Sequence, residues 1–220
     1  VTLPMLQGTR NPHAWQLLAW WCVVAIGLIA GAWERMGGGG DVLAFTVTIA
    51  VVSLAGASLW LQARARRRRN RTLGRFWLPG MIALLAAVAC LTLPLPASID
   101  RAMLVGTLAL AIGFPFLVVG MMLEIVGFLA WIHLRGAVPR GRQIPGVGKL
   151  MPEADKRIVF VAHLFAAAAL LAATVLHRGL GVAGVAYAAA WIVTAVALAR
   201  WGQRVRNERN RSAPSPRAGA

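Results

Sequence analysis

A single carboxylate interrupts one of the longest apolar stretches in this chain. Residues 102–134 read AMLVGTLALAIGFPFLVVGMMLEIVGFLAWIHL, and Glu124 is the only acid in them. A carboxylate at the centre of a membrane helix costs about 2.5–3.5 kcal/mol to insert, so it faces protein or water and marks a candidate site for moving a proton or an ion. His163 falls in the next apolar run at what reads as a similar depth, which makes a Glu124–His163 pair a reasonable expectation. The competing expectation for Glu124 is a structural hydrogen bond to a Ser, Thr or Trp on a neighbouring helix.

The histidines suggest a second chemistry. His163 and His177 are fourteen residues apart, so four helical turns would place both on one face, a spacing that suits two haems. Each iron would need a second ligand from another helix, and only His13 and His133 remain. Haem is therefore kept as an alternative cofactor. Other site chemistries find little footing. Cys22 and Cys90 lie in separate apolar runs without a CxxC partner. The segment GRQIPGVGKL lacks the glycine at Gln143 and the hydroxyl at Leu150 that a phosphate-binding loop requires. No metal-ligand spacing or catalytic triad is present, and no catalytic residue is expected.

The elements that carry these residues are membrane spans. Of 220 residues, 59% are hydrophobic and 14% charged, against about 25% charged in an ordinary soluble domain. Six apolar segments stand out at about 14–33, 42–62, 77–97, 102–134, 158–176 and 181–200. Each approaches or exceeds the roughly 20 residues that cross a bilayer, where helices alone satisfy the backbone within one segment. The expected fold is an all-α, polytopic integral membrane bundle: one transmembrane domain over 1–206, then a disordered basic tail over 207–220. The first span also ends in Ala30-Gly31-Ala32, a sequence compatible with signal-peptide cleavage.

Charge orients the spans. Lys and Arg total 23 and the formal net charge is +16. All but Arg35, Arg101 and Arg178 fall on one side when the six spans alternate. By the positive-inside rule both termini are then cytoplasmic, in what we read as a bacterial inner membrane. The cluster Arg64, Arg66, Arg67, Arg68, Arg69 and Arg71 is read as a topology determinant that also attracts anionic lipid headgroups. With no aromatic residue in that run to stack bases, nucleic acid is not an expected partner.

Packing signals complete the reading. Gly106, Gly113, Gly120 and Gly127 recur every seven residues, and a regular helix would align them with Glu124 as a groove for a neighbouring helix. The leading expectation for function is a non-enzymatic accessory or assembly subunit with a membrane-protein partner. The alternatives are a small proton- or solute-translocating protein using Glu124, and a b-type haem electron carrier.

Overall fold

The computed structural model describes residues 13–63, 71–137 and 145–212. The arginines at 64, 66, 67, 68 and 69 lie outside them, and Arg71 contributes only the backbone that opens a helix. Among the described residues the structure is helical, and six helices are long and apolar enough to cross a membrane: Ala14–Met36, Val42–Trp60, Thr72–Thr92, Arg101–Gly136, Glu153–Leu176 and Leu180–Arg211. The internal contacts divide the chain into two units. The first is 1–74 with 78–114, and the second is 75–77 with 115–220.

In the first unit, α1 (Ala14–Met36) and α2 (Val42–Ala63) form a hairpin. Two glycines one turn apart on α1 allow the close approach. A β-carbon on Gly31 would lie 2.6 Å from the Leu43 backbone, and one on Gly27 would lie 2.6 Å from the Thr46 side chain. Farther along, Trp20 Nε1 donates to Ser53 Oγ at 2.8 Å. The four-glycine connection at 37–40 is a defined turn. Gly38 and Gly40 take positive φ, and the Glu34 carboxylate crosses the turn to accept the Val42 N–H at 3.1 Å, capping α2.

α3 (Arg71–Thr92) begins and ends about five residues before the expected span. Pro94 and Pro96 account for the early stop, since the residue before a proline is biased away from helical geometry. The Asp100 side chain then caps α4 (Arg101–Gly106), accepting the Met103 N–H at 3.0 Å. α4 leads into a π-helical segment, Thr107–Gly113, whose wider turn closes with the Phe114 N–H on the Ala109 carbonyl. It ends two residues before Pro115, which has no N–H to donate back into the helix, and a missing donor of this kind favours a local change of pitch. Leu104 and Leu108 pack on Ala87 of α3.

The second unit holds most of α5 (Phe114–Ala137), together with α6 (Val147–Leu150), α7 (Glu153–Leu176) and α8 (Leu180–Ser212). α7 and α8 form an antiparallel hairpin turned by His177 and Gly179, both at positive φ. Its seam is a seven-residue repeat of small side chains. Val159, Ala166 and Ala173 are buried on α7, and Ala183, Ala190 and Ala197 on α8. Other small pairs at four-residue spacing, such as Gly184 with Ala188, point outward, because local spacing does not select a face. α6 seats Val147 and Met151 over Gly127 and buries Leu150 against Ala130 and Leu134.

Two boundaries differ from expectation in ways that matter. α7 starts five residues early, behind Pro152, with Glu153 and Asp155 in its first turn, where acids favour a helix N-terminus. α8 continues through the basic stretch to Ser212, past the expected tail boundary at 207, with Glu208 and Arg211 paired at 3.1 Å. Residues 213–220 lie outside the described set.

Candidate functional site

The second unit gathers its polar side chains into two layers. The first is charged. Glu124 on α5 meets Lys156 in the first turn of α7, with Nζ 2.6 Å from Oε1 and only 4% and 8% of the two side chains exposed. Lys156 also reaches the exposed Glu153 at 3.1 Å. Beside them, Arg204 of α8 donates from Nη1 to Asp155 Oδ2 at 2.7 Å. Three helices are thus joined at the start of α7 by two short charge-assisted bonds.

This placement changes the reading of Glu124. Its partner is a lysine rather than a neutral hydrogen-bonding group, and that lysine stands at the mouth of α7. The carboxylate therefore meets the side chain of a residue in the first turn of α7. A buried charge is tolerated only when paired, and each member of this pair supplies what the other needs.

The second layer lies two turns deeper on α7. His163 is 2% exposed, with its Nε2 2.9 Å from Thr194 Oγ1 on α8. The Thr194 hydroxyl donates its own proton to the Ala190 carbonyl at 2.9 Å. The threonine oxygen must then accept from the ring, which assigns the proton to Nε2. Aromatic rings surround the imidazole: Trp191 is edge-on at 5.3 Å and Phe116 at 6.2 Å. Phe76 and Phe160 extend the cluster, 5.2 Å apart.

Glu124 and His163 are both buried, as an inward-facing reading requires, but no bond between them is formed. Each is held by a different partner. The early start of α7 is the physical reason: His163 lies about 15 Å into the helix at 1.5 Å per residue, and Lys156 occupies the level of Glu124. Lys156, Asp155, Arg204 and Thr194 complete the two layers, and the sequence singles out none of them as a site residue. The signal for the first two was present in Pro-Glu-Ala-Asp at 152–155, a helix-start pattern that moves Lys156 from a loop onto a helix.

The glycine series divides. A β-carbon on Gly113 would come within 2.8 Å of the Leu84 side chain, Gly120 is buried, and Gly127 lies under Val147. Gly106 has open space around it. The π segment between Gly106 and Gly113 accounts for this, since an i→i+5 turn breaks the phase that seven-residue spacing assumes.

The histidines weighed as haem ligands have separate surroundings. Nε2 of His163 is committed to Thr194, and the ring is enclosed by Trp191 and Phe116. His177 is exposed at the turn after α7, His133 is exposed on α5, and His13 precedes α1. Among the described residues, no three His, Cys, Asp or Glu side chains group as a metal-ligand set.

The His163–Thr194 bond gives a direct prediction. Thr194→Val leaves the Nε2–H without its acceptor, and we expect a loss of about 1–3 kcal/mol, the penalty of an unsatisfied buried donor. Thr194→Ser should recover most of it, as measured by denaturant unfolding in detergent micelles. No protein-family model, curated protein or solved structure matches this chain, so its function must be argued from the arrangement of its own residues.

Proposed function

We propose that this chain is a multi-pass protein of a bacterial inner membrane, with both termini cytoplasmic, that serves as a non-enzymatic accessory or assembly subunit of a membrane complex. The observation that carries the reading is the pairing of its buried ions. Glu124 is held by Lys156, and Asp155 by Arg204. A carboxylate that relays protons must exchange partners across the membrane, whereas one clamped by a buried lysine at a helix mouth joins helices. The first hairpin supports a role in association: only 11% of the residues in each of its most apolar windows are buried, against 50% in α3. It offers a broad apolar flank to lipid or to another membrane protein. The orientation rests on the arginine asymmetry.

Two measurements test the reading together. Alkaline phosphatase fused to either end should be inactive, while a green fluorescent protein fused to the C-terminus should fluoresce. The wild-type chain and Glu124→Gln in proteoliposomes should both leave an imposed pH gradient intact, and the wild type should migrate in a native complex heavier than its own oligomers. Proton flux that disappears in Glu124→Gln would instead establish the translocating alternative.

A further inference from the structure

The α7–α8 hairpin has a second feature on its outer side. An open groove of about 190 Å³ runs between the two helices. Ile158, Ile192, Val193 and Val196 form its walls, Ala197 lies on its floor, and Asp155 and Arg200 close one end. Along α8 these residues share a face, since Val193, Val196 and Ala197 lie seven, four and three residues before Arg200. The groove thus runs from a cationic mouth into the apolar part of the hairpin. Ile158 and Ile192 are 55% and 64% exposed, so the groove opens to the side that a membrane would cover.

The charges at the mouth are unequal. Asp155 Oδ2 is taken by Arg204 at 2.7 Å, so that acid and that base cancel. Arg200 is exposed, and no hydrogen bond or ion pair is formed by it among the described residues. One positive charge is left over at the end of a channel with hydrocarbon walls. We infer that this groove binds one anionic phospholipid, with its phosphodiester on the Arg200 guanidinium and an acyl chain along Val196, Val193 and Ile192. An arginine presents a planar fork that matches phosphate oxygens, and the apolar walls accept methylenes that inorganic phosphate lacks. The Asp155 carboxylate stays at the rim, neutralised by Arg204. The inference requires only that the chain lie in a membrane and is independent of the subunit role.

The test uses the full chain in non-ionic detergent, partly delipidated and titrated with phosphatidylglycerol or phosphatidylcholine of identical acyl chains, with bound lipid counted by native mass spectrometry. The wild type should retain one phosphatidylglycerol in preference to phosphatidylcholine. Arg200→Gln should reduce phosphatidylglycerol binding about fivefold, the effect of one basic residue at a membrane surface, and leave phosphatidylcholine unchanged. Val196→Phe, which fills the groove from its exposed wall, should reduce both lipids. Arg178→Gln at the opposite end of the hairpin should change neither. Unaltered melting temperatures confirm that the variants are folded. Equal loss in Arg178→Gln, no loss in Arg200→Gln, or displacement of the lipid by millimolar inorganic phosphate would each overturn the assignment.

Discussion

Lys156→Met should be among the most damaging single substitutions in this protein. It removes the ammonium 2.6 Å from Glu124 and leaves a carboxylate with 8% of its side chain exposed and no cation beside it. Breaking a buried pair from one side costs about 3–5 kcal/mol, because the remaining charge has been taken out of water without compensation. Glu124→Leu should be comparably harmful for the converse reason, although Lys156 keeps the exposed Glu153 at 3.1 Å and so retains part of its solvation. The double variant Glu124→Leu/Lys156→Met should be far milder than the sum of the singles, since apolar replacements of similar volume often match a buried ion pair. Thermal unfolding of all four proteins in one detergent measures this. Additive losses would mean that the two side chains do not act as a pair.

Gly31→Ala should produce the second large effect, and a local one. The added β-carbon would lie 2.6 Å from both the Cα and the N of Leu43. Backbone cannot rotate out of the way as a side chain can, so α1 must shift from α2 along its length. Overpacking of this kind costs about 1–3 kcal/mol and more where the neighbour is rigid. Gly27→Ala meets the Thr46 side chain at the same distance, but that side chain can change rotamer, so a smaller loss is expected. Gly56→Ala on α2 has open space around it and should be neutral. The readout is amide hydrogen exchange across residues 14–63, because a hairpin packed mainly on itself can loosen without global unfolding. Faster exchange in Gly31→Ala but not in Gly56→Ala is the expected result. Equal protection in both would mean that the hairpin is not held by this approach.

The hairpin also shows how sequence signals can be assigned to the wrong purpose. Gly27 and Gly31 form a plain small-xxx-small pair, yet Gly31 draws attention as part of an Ala-Gly-Ala cleavage pattern. The heptad glycines on the fourth span draw attention as packing residues, and Gly106 has nothing near it. Spacing identifies a face only if the helix keeps one pitch, and the π segment at Thr107–Gly113 does not. Glu124 was legible as an inward-facing residue because a lone carboxylate in an apolar run has few tolerable environments. Its partner was not legible, because Lys156 reads as part of a basic loop until the helix start at Glu153 is known.

By itself the sequence determined that six helices are long and apolar enough to cross a membrane, and roughly where each runs. Those properties are local: run length sets reach, and a helix satisfies its own backbone. Only the tertiary structure decided which polar groups meet. Glu124 and Lys156 are 32 residues apart, and His163 and Thr194 are 31. Contacts at such separations depend on the rotation and level of one helix against another. Both are set by where a helix begins, where its pitch changes and which small side chains let its neighbour approach, and none of these follows from hydropathy.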